Sequence, residues 1–453
     1  MSKNIKITKG LDIKLKGEAE KVVVNANPSD VYTLKPADFH GLTPKLLLKE
    51  GAQVKAGTAI FVDKQRESVC FASPVSGEIV EVVRGEKRKI LSVKILADKG
   101  EMKYESFASA DPNKLTREQI KEQLLKSGCW PYIKQRPIDI VANPEQTPKA
   151  IFISAFDSSP LAPDYDFIVH NYGELFQTGV DALAKLTDGK VHLNVRSELK
   201  PSGVFTNCKN VQINKVSGPH PAGNVGVQIH HIDPINSGEV VWVVNPQDVL
   251  IIGRLFAQGK YDATKTIAVA GPRVKYPKYH RVISGATIKS ILSDDSSKDN
   301  RYVSGNVLTG DNAGADGNLG FYHHQICVLE EGDKFKFFLG DGWMGLGLNK
   351  HSASRTYFSW LMPSKKYALD TNQNGEPRSF VMTGQYEKVF PFDIYPVHLL
   401  KSIITNDIES MEKLGIYEVA PEDFALCEYV CTSKINAQEI VREGLDVIYK
   451  ECM

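Results

Sequence analysis

Apolar residues change their spacing along this chain, and each change predicts a different kind of element. Up to about residue 100 they come in short β-branched runs broken by glycine and proline. KLLLKEGAQVKAGTAIFVDK turns at Gly51 and Gly57, and SVCFASPVSGEIVEVVRGEKRKILSVKIL repeats the pattern, as a compact β domain would. A polar stretch from Asp98 to Lys114 follows, and Thr116 stands where an N-cap would open a helix carrying Ile120, Leu124 and Leu125. From about 150 strands and helices alternate. AIFISA (150–155) reads as a buried strand, and ELFQTGVDALAKL (174–186) sets Leu175, Phe176, Val180, Leu183 and Leu186 on one helical face. VHLNV, NVQINKV and VVWVV read as strands, QDVLIIGRLFAQG as a buried helix and TIAVAG as a further strand. That alternation predicts a largely parallel, Rossmann-like sheet. Residues 260–330 form a Gly-rich β segment, and the pattern turns helical after about 395. There, Asn436 with Glu439 three residues on resembles a capping box.

At 453 residues the chain exceeds what one core supports. The expected division is a β domain over 1–100, an α/β domain over 101–258, a second β domain over 259–330 and a C-terminal domain over 331–453. Hydrophobic residues at 42% and charged residues at 24% are ordinary for a globular chain. Lys+Arg 55 against Asp+Glu 54 gives a net charge of +1. That balance argues against nucleic acid as a partner and offers no footprint for an anionic lipid surface. The N-terminal MSKNIKITKGLDIKLKG lacks the apolar core of a signal peptide. The most apolar stretch, EVVWVVNPQDVLIIGRLF, is broken by Asn245-Pro246 and Asp248, so no membrane-spanning run is expected. Seven scattered cysteines lack disulfide-framework spacing, which suits a reduced, cytoplasmic chain.

Three cofactor chemistries can be weighed on residues alone. Val54–Glu81 resembles the hammerhead of biotinyl and lipoyl domains, but Lys64 stands ten residues before Pro74. That spacing pushes it off the hairpin tip where a ligase must reach, so a carrier-like protein is the alternative reading rather than the main one. A dinucleotide site needs glycines after the first strand of the sheet. This chain reads FDSSPLAPD there, where Asp157 repels phosphate and Pro160 and Pro163 remove donors. His220, His230, His231 and Asp233 lie close in sequence, but a strand over 227–232 would send His230 and His231 to opposite faces. No metal site is expected, and no catalytic residue can be named.

Several blocks in collinear order carry a more specific likeness. KGLDIKLKG, GAQVKAGTAIFVDK, GCWPYIKQRPID, PKAIFISAFDSSPLAPD, GPHPAGNVGVQIHHIDP, YVSGNVLTG, GQYEKVFPFDIYP and ALCEYVC span nearly the whole chain. Together they resemble the A-subunit family of Na+-translocating NADH:quinone oxidoreductases (Na+-NQR), relatives of the C-subunit of the Rnf complex and of the NADH-binding subunit of complex I. The resemblance implies a multidomain α+β fold. Its parts would be a barrel-sandwich hammerhead domain, a Rossmann-like domain, a soluble-ligand-binding β-grasp domain and a helical C-terminal domain. It also implies a peripheral place on the cytoplasmic face of the bacterial inner membrane, beside membrane and flavin subunits. The complex so implied uses NADH, FAD, FMN, riboflavin, Fe–S and quinone, with no cofactor held tightly by this chain. A non-catalytic scaffold remains the other reading.

Two features take their meaning from that resemblance. Related subunits hold a cluster in a Cys-rich helical domain, which would make Cys427 and Cys431 a vestige. Spacing alone reads them as neighbours on one helical face, either two small core residues or a redox-sensitive dithiol. Gly218, His220, Pro221, Gly223 and Gly226, with His230 and Asp233 beyond, make a rigid loop at the edge of the predicted sheet. It could offer His220 and backbone N–H groups to a quinone carbonyl, dock a neighbouring subunit, or merely turn a corner. Trp343 and Trp360 either expose an apolar patch to membrane subunits or anchor the last two domains.

Overall fold

The computed structural model describes residues 2–292, 299–334, 336 and 344–452; Trp343 lies outside them. The chain is mixed α+β and builds on four sheets among the described residues. Val31–Leu34, Ile90–Ala97, Gly77–Arg84 and Gln53–Val54 make one antiparallel sheet. Pro44–Leu46, Ala59–Asp63 and Cys70–Ala72 make the sheet that completes the barrel sandwich. Between them Ile60, Phe61, Phe71, Ile79, Val93 and Ile95 are fully buried, with Phe61 stacked on Phe71 at 4.9 Å. Lys64 is the first residue after Ala59–Asp63, and its amide donates to the Thr43 carbonyl at 2.8 Å. It leaves the hairpin loop from the shoulder, not the tip.

The first 25 residues do not stay with this sandwich. Asn4–Lys6 adds in parallel to Gln212–Ser217, and Glu20–Asn25 adds in parallel to Lys278–Ile283. The alternation of Lys with a single apolar residue in Asn4–Lys6 suits an edge strand with one wet face, whereas Glu20–Asn25 contains a run of three valines of which Val22 and Val23 are exposed. Which sheet receives each is decided by distant partners. Two glycines make the route passable. A Cβ on Gly10 would lie 2.1 Å from the His220 carbonyl oxygen, and one on Gly17 would lie 2.2 Å from that of Gly271.

The second unit has strand order Asn4–Lys6, Gln212–Ser217, Lys190–Arg196, Ala150–Ser154, Val241–Val243, Lys134–Arg136, Ile140–Val141. The first five strands are parallel and the last two antiparallel. Thr116 caps Arg117–Ser127 in a full capping box with Gln119. Gly173–Ala184 and Pro246–Gln258 cover the sheet in close contact. A third unit carries the sheet Asp311–Asn312, Asn300–Ser304, Gln325–Glu330, Thr264–Ala270, Lys278–Ile283, Glu20–Asn25.

The C-terminal helices Pro396–Ile404, Ile408–Lys413, Ala425–Val430 and Ala437–Cys452 pack around Leu399, Leu400, Phe424 and Leu445. The expected local capping box at the last helix takes another form. Asn436 Nδ2 donates to Glu439 Oε2 at 3.1 Å, while the Gln438 amide is taken by Glu428 of Ala425–Val430 at 2.7 Å. A tertiary partner supplies the cap. Trp360, at 49% exposed, anchors nothing.

The crossing of Gly173–Ala184 and Pro246–Gln258 has no slack. A Cβ on Gly179 would meet the Val249 carbonyl oxygen at 2.2 Å, and one on Gly253 that of Leu175 at 2.0 Å. Alanine gains up to about 1 kcal/mol of helix propensity, but backbone cannot give way as a flexible side chain can. Gly253→Ala should therefore destabilise by about 2 kcal/mol net and lower the thermal midpoint, whereas Gly100→Ala, with nothing within 4 Å, should leave it unchanged. A neutral Gly253→Ala would show that the helices can part.

Candidate functional site

The chain runs outward from Ala150–Ser154 through Lys190–Arg196 to Gln212–Ser217, then returns to place Val241–Val243 on the other side. A crevice opens at the carboxyl ends of strands wherever the order reverses in this way. Here it is a cleft of about 420 Å³. Phe156 and Asp157 follow the first strand, and Val244 and Asn245 follow the strand beside it. Gly305, Asn306 and the run Tyr322–Gln325 close it from the third unit, with Pro421 and Glu422 from the C-terminal one.

Three buried polar atoms of the lining residues have no partner: Arg136 Nε, His324 Nε2 and Gln325 Oε1. Gln247 pairs with the Thr266 backbone in both directions, accepting from its amide at 2.8 Å and donating to its carbonyl at 2.9 Å. That fixes the amide's orientation, so its second N–H donates to His324 Nδ1 at 2.9 Å. The ring proton must then sit on Nε2, which is buried and has no partner. Burial keeps this imidazole neutral, holding its pKa well below the usual 6.5. Beside it Gln325, also buried, spends its Nε2 on the Pro160 carbonyl and Cys327 Sγ and leaves Oε1 unpartnered. Tyr165 OH accepts from Asn245 Nδ2 at 2.7 Å on the wall. His324 and Gln325, consecutive residues lining a cleft rich in rings, thus leave one donor and one acceptor unpaired, which suits a small neutral polar molecule.

Phosphate is poorly served here. Burial pushes the Asp157 carboxyl above the usual carboxylate range, and its Oδ1 takes the Ser159 amide at 2.7 Å. Arg136, 2% exposed, is held by Asp423 at 3.0 Å and by Glu422. A Cβ on Gly226 would lie 2.6 Å from Asp423 Oδ2. A carboxylate of the chain itself therefore rests against the first turn of Val225–Ile232, where an anion would be welcome. Neither flavin phosphate nor a pyrophosphate fits these residues.

The loop singled out from sequence is only partly in the cleft. It leaves Gln212–Ser217 at the expected edge, and Gly223 lines the cleft. Gly218 packs its α-carbon on Ile7. His220 is buried and turned away from the cleft. Its Nδ1 meets Ser158 Oγ at 3.0 Å, Ser158 accepts from the Gly223 amide at 2.8 Å, and burial pulls the imidazole down to about 4. Pro221 is buried behind it. The segment expected as a strand over 227–232 is the helix Val225–Ile232. Val225, Val227 and Ile229 alternate like a strand, but Val225, Ile229 and Ile232 also follow helical spacing, and the helical face is the buried one. His230 and His231 are accordingly neighbours, with ring centroids 5.2 Å apart, not on opposite faces. His230 Nε2 accepts from the Asp393 amide at 3.1 Å, so Nδ1–H donates to Glu418 at 2.6 Å. His230 is a tie to the C-terminal unit. Asp233 instead pairs with Lys149 at 3.0 Å. Among the described residues no group of three His, Cys, Asp or Glu is placed to hold a metal ion.

Cys427 and Cys431 are both buried, but not on one helical face. The helix ends at Val430, and Cys431 has extended backbone, with Sγ accepting from the Ile435 amide at 3.4 Å. Burial pushes the Cys427 thiol far up, so it is a core residue rather than a nucleophile. Sequence reading missed His324, Gln325, Arg136 and Glu422. HHQ and QRP were visible as text, but nothing local says that residues 136, 324 and 422 face one cleft.

His324 carries a pH signature. It is neutral when folded and free to take a proton near 6.5 when unfolded, so its contribution to stability is present above that pH and lost as pH falls through it. Between pH 7 and 5 the stability cost of His324→Gln should therefore shrink by roughly 2 kcal/mol. Parallel denaturant melts of both chains test this, and a pH-independent difference would mean the imidazole titrates in the fold.

Comparison with known proteins places the chain. Three domain profiles of one family match it: the NqrA N-terminal barrel-sandwich hybrid domain over 5–98, the NqrA second alpha/beta domain over 115–261, and the NQRA C-terminal domain over 266–315. The A-subunit of the Na(+)-translocating NADH-quinone reductase of Marinomonas sp. (strain MWYL1) is 37% identical over 450 residues, 98% of this chain and 99% of that one. Its counterpart from Hahella chejuensis is 38% identical across 99% of this chain and all of its own, and that from Neisseria meningitidis serogroup B is 36% identical over similar coverage. A solved NAD+-reducing [NiFe]-hydrogenase in the H2-reduced state aligns at 11% identity and TM-score 0.40, covering 76% of this chain and 64% of that one, too loose a likeness to argue from. By end-to-end identity with these relatives, the chain belongs to the NqrA family, the A-subunits of Na(+)-translocating NADH-quinone reductases.

Proposed function

We propose that this chain is a peripheral, cytoplasmic-face subunit of a complex that oxidises NADH, reduces quinone to quinol and exports Na+. The observation that carries this is kinship over nearly the full length of both chains. No helix among the described residues is long and apolar enough to cross a membrane, so attachment would run through partners, the membrane and flavin subunits. NADH, the flavins and Fe–S clusters belong to those partners on this reading. In support, Asp157 and Glu422 line the crevice of this chain, and Glu422 with buried Asp423 already holds Arg136 there.

A second reading concerns quinone, and the floor of the cleft favours it. His324 Nε2–H could donate to a ring carbonyl, and Gln325 Oε1 could accept from the hydroxyl of the reduced ring. Neutral His324 would position the ring rather than protonate it. The loop with Gly218, His220, Pro221, Gly223 and Gly226 then acts behind the site, and Cys427 and Cys431 act in the core.

Tagging the chain in its host and purifying it from gently solubilised membranes should bring flavin, membrane subunits and Na+-stimulated NADH:quinone reduction with it. A colourless, inactive eluate would end the subunit reading. On the purified complex, a quinone photoprobe should label this chain, and His324→Phe should cut that label by about fivefold, the worth of one lost hydrogen bond. Label confined to the membrane subunits would remove the quinone reading and leave the first intact.

A further inference from the structure

Residues 344–369 hold four Lys or Arg and no Asp or Glu. Within this stretch Met344, Leu346, Leu348, Phe358, Trp360 and Leu361 are all exposed. They are not scattered. The Phe358 amide donates to the Leu346 carbonyl at 3.2 Å, and Lys365 Nζ reaches the Leu348 carbonyl at 2.9 Å. A Cβ on Gly347 would fall on the Tyr357 ring. The two segments therefore lie side by side and present their apolar side chains as one surface. Large apolar side chains gathered in this way mark an interaction site.

The rim says what kind. Tyr367 pairs with the N-terminal segment, accepting from the Lys16 amide and donating to the Lys14 carbonyl. This brings Lys14 and Lys16 beside Lys365 and Lys366. Lys14 rests its ammonium on the Pro363 carbonyl and Lys365 on Leu348 and Asn349, neutral acceptors that leave the charge uncompensated. Lys366 meets one carboxylate, that of exposed Glu18 at 2.7 Å. Trp, Phe, Leu and Met surrounded by snorkelling lysines is the composition that rests at a headgroup layer. Rings and alkyl groups enter the acyl boundary while ammonium groups stay with phosphates. A protein partner would more often meet such a surface with matched carboxylates and little demand for so many loose cations.

We propose that this surface docks directly on an anionic lipid bilayer, with Phe358, Trp360 and Leu361 inserted and Lys14, Lys365 and Lys366 on the headgroups. The contact goes beyond attachment through other subunits and rests on the surface itself.

The test uses the purified full chain with vesicles of phosphatidylcholine alone or with about one-third phosphatidylglycerol. The chain should sediment with the anionic vesicles, less so as salt is raised. Lys365→Gln with Lys366→Gln should weaken binding about 30-fold, and Phe358→Ser with Trp360→Ser should abolish it, with circular dichroism confirming that both variants fold. Failure to bind anionic vesicles, or binding that ignores both variants, would overturn the proposal. If the chain ignores vesicles but the same variants lose co-purification with the reductase, the surface is a protein interface and the lipid contact is wrong. The subunit reading would survive that outcome.

Discussion

One buried cation organises the interior. Arg136 ends the antiparallel strand that closes one side of the α/β sheet, and at 2% exposed it cannot be left alone. Its guanidinium reaches Glu422 and Asp423 on a turn nearly three hundred residues away. Removing one partner from such a pair costs about 3–5 kcal/mol, because the other charge stays buried. The C-terminal unit is thereby obliged to sit over the crevice. A second arginine ties the same units in the opposite sense: Arg442 of the last helix donates to the Ile138 carbonyl at 2.6 Å. The ends of the chain join this arrangement through Asn4–Lys6 at the far edge of the sheet.

What the clamp does to the crevice follows from charge. Its carboxylates occupy the neighbourhood of a helix start, so the dipole there is already answered. Beneath, Lys265 and Asp248 form a second buried pair at 3.2 Å, with Lys265 5.2 Å from the centroid of Tyr132. The pair bolts Pro246–Gln258 to Thr264–Ala270. Lys265 and Asp248 are thus spent on architecture, while in the cleft the Arg136 Nε–H stays unpartnered alongside the neutral His324 Nε2 and Gln325 Oε1. His323 is held in the same way as His220, its Nδ1 at 2.9 Å from a serine hydroxyl that itself accepts a backbone amide.

How much of this could be read from sequence depends on range. Elements set by local spacing were legible: the helices Arg117–Ser127, Gly173–Ala184 and Pro246–Gln258, the capping by Thr116, and the strands of the parallel sheet. Where periodicities overlap the reading failed, as at Val225–Ile232, whose β-branched alternation imitates a strand. Where partners are remote it had no purchase. Asn4–Lys6 and Glu20–Asn25 could have paired with any edge, and the cap of the last helix comes from Glu428. The site divides along the same line. The loop around Gly223 was visible because glycines and prolines announce a turn, whereas His324 and Gln325 matter only through atoms left unpaired by Gln247, Pro160 and Cys327.

A net charge of +1 illustrates the limit most clearly. As a sum it excludes large fields, yet the terms of the sum are sorted in space. Asp139, Asp157 and Glu422 line the crevice together with Lys134 and Arg136, while lysines 14, 16, 365 and 366 collect around an exposed apolar surface. Screening erases a distant charge within about 8 Å at physiological salt, so a ligand at either place meets only its own population and not the average. Composition measures a quantity that no binding partner ever encounters. The physically relevant charge is local, and the folds that gather it are made by the same long-range pairings that local spacing does not encode.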